Sequence, residues 1–288
     1  MTTTVCAFIK QENNYIDEWL SWHLSIGVDK FILYDNNDGR EDYPMTEYVS
    51  QQVAAKKVKI FNRRNEHLDK NKEISLLYKQ AATDWFVLLS IDEFIVLKNH
   101  SSINEWLSED KFRNADNIRV SMKSFNSAGV TRFDGNFNVR NRFTIENKKD
   151  NSFNTKLKTF SRCRNNIYKS IDENGLHGES IMTMYCDGSI MKTSICMTTK
   201  RDFSEIEIDA YPTKSLEEYC YIKVGRNKTF DKENISRYKE KYFEMNGQDY
   251  EKSMMFDYFI SDIYKNEDIE GADSYALFDF GDGQLNGA

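Results

Sequence analysis

The sequence predicts an α/β protein: a three-layer fold on a mixed, mainly parallel central sheet, with a helical appendage at the C-terminus. Three observations predict it. Short strand-like runs at residues 4–9, 30–34 and 85–89, apolar apart from Thr4 and Lys30 at their starts, alternate with stretches of three-to-four-residue apolar periodicity, the pattern of βαβ units. Polar or acidic residues follow each of these runs at once, where an open α/β sheet places its ligand crevice. The end of the chain shows helical periodicity. We therefore divide the chain into residues 1–205, the sheet domain, and 206–288, a helical segment packed on it or extending from it.

Each element follows from local pattern. Residues 4–9 form a first strand that ends at Lys10-Gln11-Glu12. A helix carries Tyr15, Ile16, Trp19, Leu20, His23 and Ile26 along one face, with Asp17 and Glu18 placed to suit its dipole and Gly27 to end it. Residues 30–34 make the second strand and 35–39 its polar loop, which completes a βαβ unit of roughly thirty residues with a right-handed crossover. A short helix over 46–55, a strand over 57–61 and a helix over 70–82 come next. The run 85–89 reads as a strand covered on both faces that delivers Ser90-Ile91-Asp92-Glu93. Ser101 or Ser102 caps a short helix carrying Ile103, Trp106 and Leu107. After a strand at 118–122 the character changes to strand-like pieces at 136–145, 154–162 and 180–185, joined by polar loops. Ser215-Leu216-Glu217-Glu218 is a capping box that opens a helix running to about Val224, where Gly225 stops it. Helices over 234–245 and 250–265 follow, and the tail from Glu267 is acidic.

Composition narrows the function classes. A net charge of −7 over 288 residues argues against non-specific binding to nucleic acid or an acidic membrane. Aromatic residues at 14% serve packing first. The five cysteines contain no Cys-x-x-Cys pair and read as reduced core thiols. No signal peptide is recognisable, and no apolar run approaches the ~20 residues of a membrane helix. A cytoplasmic protein is expected, with peripheral membrane association through a partner left open.

The strand ends carry the candidate chemistry. Lys10 and Glu12 end the first strand, Asp35 and Asn36 the second, and together they suit a base and ribose; the plainer alternative is loop polarity. No glycine-rich loop follows either strand, against a dinucleotide-binding domain or a P-loop. Ser90-Ile91-Asp92 has the spacing of an Asp-x-Asp motif with its first acid replaced. Such carboxylates hold Mn²⁺ or Mg²⁺, which neutralises a diphosphate while a glycosyl bond breaks. His177, in Leu176-His177-Gly178, is a further candidate ligand, although a histidine beside glycine is more often a turn residue. His23, His67 and His100 read as structural or surface residues.

An ordered set of motifs resembles family-2-like glycosyltransferases related to family 92. These are Ala7-Phe-Ile-Lys-Gln-Glu12, then the stretch from Asp17 through Trp19 and His23 to Tyr34-Asp35-Asn36, then Ser90-Ile-Asp-Glu-Phe94. Phe125-Asn-Ser-Ala-Gly129, Lys158-Thr-Phe160, His177, and Tyr211-Pro-Thr-Lys-Ser215-Leu-Glu-Glu218 with Lys223 and Gly225-Arg226 continue it, so that it covers about residues 5–228. The resemblance implies a GT-A fold and a nucleotide-sugar donor, most often a UDP-sugar, UDP-galactose among the candidates. It implies a divalent metal and inversion at the anomeric carbon. Carried over, Lys10, Glu12, Asp35, Asn36, Ser90 and Ile91 would face the nucleotide sugar, Asp92 and His177 would hold the metal, and Lys214 and Arg226 would balance the diphosphate. The acceptor would be a glycan or lipid-linked glycan, with surface polysaccharide synthesis as the setting.

Two departures stand out: Ser90 replaces the first acid, and Ala210 precedes Tyr211 where relatives commonly carry histidine. Inversion also needs a base for the acceptor hydroxyl. Asp134 is the first candidate, with Asp209 and Glu179 as alternatives. A weakened sugar-nucleotide-binding module and a GT-A-like nucleotidyltransferase remain as rival readings; the second wants a basic glycine-rich segment that the sequence lacks.

Overall fold

The computed structural model describes residues 1–37, 45, 49, 57–148, 152–163, 168–191, 201–225, 232–247 and 249–266. Its strands are β1 (Thr3–Ile9), β2 (Lys30–Asp35), β3 (Val58–Asn62), β4 (Trp85–Leu88), β5 (Glu93–Leu97), β6 (Asn117–Ser124), β7 (Leu157–Arg162), β8 (Ser170–Asp172), β9 (Gly175–His177), β10 (Thr183–Tyr185) and β11 (Ile206–Ala210). The helices are α1 (Ile16–Ser25), α2 (Lys70–Gln80), α3 (Ile103–Leu107), α4 (Val139–Arg142), α5 (Leu216–Glu218), α6 (Lys232–Asn246) and α7 (Tyr250–Asn266), and a π-helical turn, Tyr219–Val224, continues α5. The central sheet runs β3-β2-β1-β4-β7-β6-β11-β5, with β10 added beside β6. β3, β2, β1 and β4 are mutually parallel, as are β11 and β10 with β6. β7 is antiparallel to β4 and β6, and β5 to β11. The expected α/β architecture with a mixed, mainly parallel sheet is the one found. β11 lies on the far side of the expected division at residue 205, so the sheet takes strand residues from the C-terminal segment.

Alternation along the strands builds the layers. Val5, Ala7 and Ile9 of β1 and Phe31 and Leu33 of β2 enter a large core with Trp19, Leu20 and Trp106. Their neighbours Cys6, Ile32 and Tyr34 pack on the opposite face against Ile74, Leu77 and Tyr78 of α2. A separate cluster holds Leu216, Cys220, Tyr242, Phe256 and Phe259, the core of the C-terminal helices. Cys6, Cys163, Cys186 and Cys220 are free thiols; Cys196 lies outside the described residues. Among the described residues no helix is long and apolar enough to cross a membrane.

One expectation changes, and another lies beyond the described residues. The piece at 136–145 is not a strand. Asn138 caps a helical turn by accepting from the Asn141 N–H (3.1 Å), and the Glu18 carboxylate accepts from the N–H groups of Val139 (2.8 Å) and Arg140 (3.3 Å). Tertiary hydrogen bonding to the turn outweighs the apolar alternation. The helix expected at 46–55 falls largely outside the described residues.

The conspicuous Trp and His residues of α1 turn out to fix β5. Trp19 Nε1 donates to the Glu93 carbonyl (2.9 Å) and Trp22 Nε1 to the Ile95 carbonyl (2.8 Å). His23 lies between them, with Nδ1 2.8 Å from the Trp19 carbonyl and Nε2 accepting from the Ile95 N–H at 3.3 Å. Burial lowers the His23 pKa to about 3, which keeps the ring neutral and able to accept. α1 thereby sets the backbone that follows Asp92.

Candidate functional site

β4 ends at Leu88 and the chain turns before β5, the Glu93 N–H donating to the Ser90 carbonyl (3.0 Å). The turn projects Asp92 into a cleft of about 590 Å³ beyond the carboxyl end of β4. Its walls include Ser90, Asp92, Glu93, Ala210 and Pro212, and also Glu173 and Asn174 of the β8–β9 turn. That turn needs glycine at 175: φ is +101°, and a Cβ there would sit 2.6 Å from Asn117 Oδ1.

Asp92 belongs to a compact group of four charges. Lys223 Nζ lies 2.8 Å and Lys214 Nζ 3.8 Å from Asp92 Oδ2, and both ammoniums lie 3.5 Å from Glu12 Oε1. Glu12, Asp92 and Lys214 are all at least 95% buried, so the group persists only because its charges balance. Burial pushes the Asp92 carboxyl up, but Lys223 and Lys214 outweigh it and hold the pKa below the ordinary range. Burial pulls the Lys214 pKa down against the pull of Asp92 and Glu12.

The backbone delivering these lysines is unusual at both places. Lys214 adopts φ +52°, left-handed for a residue with a side chain, and its ammonium lies 4.8 Å from the centre of the Tyr15 ring. The capping box after it is complete: Ser215 and Glu218 exchange hydrogen bonds of 3.2 and 3.0 Å. Lys223 sits in the π-helical turn, closed by the Gly225 N–H on the Cys220 carbonyl (2.9 Å). Such turns are rare and recur at functional sites.

The rest of the cleft is basic. Five lysines (70, 156, 158, 223 and 241) face three carboxylates (Asp92, Glu93 and Glu173) among its lining residues. Burial, with Lys241 nearby, lowers the Lys156 pKa; burial, with Lys223 and Arg237 nearby, lowers that of Lys241. Lys158 pairs with Glu93 at 2.6 Å, and Glu93 also accepts from the Ser90 N–H at 2.7 Å. A chain of net charge −7 has gathered cations here. The arrangement suits a multiply charged anion.

The structure brings together Glu12, Ser90, Asp92 and Lys214 from the expected set and leaves others apart. Asp35 is buried and spent on its own loop, accepting from Asn37 Nδ2 (2.7 Å), the Asn37 N–H (3.2 Å) and the Met45 N–H (3.1 Å). Asn36 donates to the carbonyls of Arg63 (3.0 Å) and Glu66 (3.1 Å). Ile91 is buried in the core, and Lys10 is half-buried at the end of β1. Arg226 lies outside the described residues. None of Asp134, Asp209 and Glu179 lines the cleft. Asp134 is exposed, accepting from the Asn136 N–H (3.0 Å) and lying 3.4 Å from Arg142. Asp209 is buried in β11, and burial with Glu207 beside it pushes its pKa up to about 7. The sequence alone assigns no role to Lys156 or Lys241, and Lys158 and Lys223 carry none beyond their place in the motifs. The signal available was their recurrence on segments flanking the cleft, legible only once the strands are paired.

The expected metal site does not assemble. His177 Nε2 lies 2.8 Å from Asp172 Oδ1 on its own hairpin and is not among the residues lining the cleft. Ser90 contributes its backbone N–H to Glu93, and the Asp92 carboxylate is held by ammonium groups. Among the described residues no group of three or more His, Cys, Asp or Glu side chains could hold a metal ion. A divalent cation wants several oxygen or nitrogen donors around one point, and this donor set does not fit it.

No protein-family model matches the sequence. Among curated proteins, the chain is 25% identical over 134 residues to a glycosyltransferase family 92 protein of Ricinus communis, across 44% of this chain and 23% of that one. It is 23% identical over 140 residues to a family 92 protein of Oryza sativa subsp. japonica, across 44% of this chain and 22% of that one. The match thus spans under a quarter of each curated relative's length. Among solved structures, S. aureus TarS 1-349 aligns with 93% of this chain and 73% of its own at 13% identity and a TM-score of 0.41. The mannosyltransferase PcManGT from Pyrobaculum calidifontis, solved with GDP-Man and Mn²⁺, aligns with 42% of this chain and 35% of its own at 11% identity and a TM-score of 0.32. Likeness at that level decides nothing about chemistry. Over the part that aligns, the chain is related in sequence to the glycosyltransferase family 92 proteins.

Proposed function

We propose that this chain is a glycosyltransferase domain that binds a nucleotide-sugar donor in the Asp92 cleft and passes its hexose to a hydroxyl of a glycan or lipid-linked glycan. The observation that carries the reading is the lysine-lined cleft at the strand ends, with Asp92 and Lys223 in its lining and Glu12 and Lys214 buried against them. Kinship with family 92 proteins supports it. A UDP-sugar is the favoured donor by motif resemblance. In an inverting transfer the acceptor oxygen bonds to the anomeric carbon while the bond from that carbon to the diphosphate oxygen breaks. The bonding pair leaves with the diphosphate, and the acceptor proton goes to a carboxylate. Our candidate for that proton is Glu173, which lines the cleft and pairs with Lys70, whereas Asp134, Asp209 and Glu179 do not line it.

The test is a panel of nucleotide sugars offered with oligosaccharide acceptors, scored by release of nucleoside diphosphate. Acceptor-stimulated release from one UDP-hexose, lost in Asp92→Ala, is the expected result. A panel in which no nucleotide sugar is turned over or raises the melting temperature would refute the proposal. The serine at 90 and the alanine at 210, both in the cleft wall, favour a binding-only module as the second reading. Donor binding without turnover would select it.

A further inference from the structure

We propose that Lys223, anchored on Asp92 and Glu12 and backed by the buried Lys214, does at this site, together with Lys156 and Lys241, what a divalent ion does elsewhere: these lysines neutralise the diphosphate of the nucleotide sugar, so that the donor binds without metal. The inference rests on the glycosyltransferase reading and deepens it.

The geometry argues for it in three steps. First, the acid that would hold a metal is occupied. Asp92 Oδ2 has one ammonium at 2.8 Å and a second at 3.8 Å. A cation entering there would have to displace buried positive charge, while the second ligand position of the motif is a serine whose backbone N–H is bound to Glu93. Second, the lysines are held by design of the chain. Lys214 is fixed by a left-handed backbone and a complete capping box, Lys223 by the π-helical turn, and Glu12 contacts both from the end of β1. Ammonium groups positioned before the ligand arrives lose little on binding, and this is how fixed charge stabilises a leaving group. Third, the Lys223 side chain keeps 22% of its surface exposed and lines the cleft, with Lys156 and Lys241 on the wall. A diphosphate seated against Lys223 therefore meets cations on several sides.

The distinction is chemical. A metal site draws its positive charge from solution and loses it to a chelator. A lysine site carries its charge in the sequence, and a chelator leaves it intact.

Calorimetric titration of the whole chain with UDP, GDP, ADP and TDP and with the matching nucleosides, in 1 mM EDTA and again in Mn²⁺, reads the difference. One diphosphate is expected to bind in EDTA at least tenfold more tightly than its nucleoside, with Mn²⁺ changing the affinity by less than about threefold. Lys223→Ala is expected to lower the diphosphate affinity tenfold or more while leaving the nucleoside affinity unchanged, and Lys223→Arg to retain most of it. The wild-type comparison needs no variant to fold, and melting curves check that the variants do. Diphosphate binding that appears only with Mn²⁺ overturns the lysine proposal and leaves the glycosyltransferase reading standing. Absence of binding by every nucleoside diphosphate and every nucleotide sugar, with or without metal, overturns both.

Discussion

Replacing Glu218 by glutamine removes one charge from the best-formed buried ion pair near the site. Glu218 is 5% exposed, and its two oxygens receive Arg142 Nη1 at 2.9 Å and Nη2 at 2.7 Å, a bidentate pair. The Tyr15 hydroxyl donates to it at 2.6 Å and the Ser215 N–H at 3.0 Å. Burial pushes the carboxyl up, and these hydrogen bonds outweigh it and hold its pKa below the ordinary range. Glutamine keeps the shape but turns an amide N–H₂ toward the donors of Arg142 or Tyr15. Among the described residues, the guanidinium, 5% exposed, then has the exposed Asp134 at 3.4 Å as its remaining carboxylate partner. Breaking a buried pair from one side costs about 3–5 kcal/mol, and the capping contact adds nothing to the loss, since glutamine also serves at that position of a capping box. Urea unfolding followed by tryptophan fluorescence should show Glu218→Gln destabilised by about 3–5 kcal/mol. Asp134→Asn, which touches the same arginine from an exposed position, should cost under about 1 kcal/mol. A Glu218→Gln loss as small as that of Asp134→Asn would refute the account, and with it the claim that this network clamps the Lys214 turn.

Two further outcomes follow from buried carboxylates. Burial and Glu207 raise the Asp209 pKa from 3.8 to about 7, and its Oδ1 has no hydrogen-bond partner among the described residues. The folded state therefore holds a proton that the unfolded chain has released between about pH 4 and 7; the stabilisation is present in full below pH 4 and lost as pH rises through 7. Asp209→Asn should flatten that decline by on the order of 2–4 kcal/mol at pH 8, and an unchanged pH profile of urea midpoints would count against it. Asp92→Asn, in EDTA, should destabilise the chain by about 3–5 kcal/mol because it leaves Lys214 and Lys223 underpaired. An acid waiting for a metal would behave in the opposite way, since its removal relieves buried charge; a neutral or stabilising effect would therefore refute the paired cluster.

The layers were legible because alternation and helical period are local signals. β1, α1, β2, α2 and β4 stand where residues 4–88 place them, and the capping box at Ser215 is complete in the structure. What was not legible depends on partners far along the chain. Asp35 and Asn36 look like ligands at a strand end, yet their groups are used by Asn37, Met45, Arg63 and Glu66. The helical turn at Val139 exists because Glu18 accepts its N–H groups, which no pattern within 136–145 can reveal. Lys223 escaped because a π-helical turn rotates its residues away from the faces that a 3.6 period assigns.

That rotation bears on how the cleft came to be basic in an acidic chain. The strand ends supply acids, Glu12 and Asp92, and the segment after β11 supplies Lys214 and Lys223 to meet them. Two acids thus stand against two ammoniums at the base of the site. Lys156 and Lys241 are different. Burial first, and then neighbouring cations, hold their pKa values down, and a bound anion would act in the opposite sense. The site thus meets two demands at once: the Glu12–Asp92–Lys214–Lys223 pairs keep the fold, and Lys223, which also lines the cleft, favours the ligand together with Lys156 and Lys241. Carboxylates alone at this position would have met neither demand without a cation from solution.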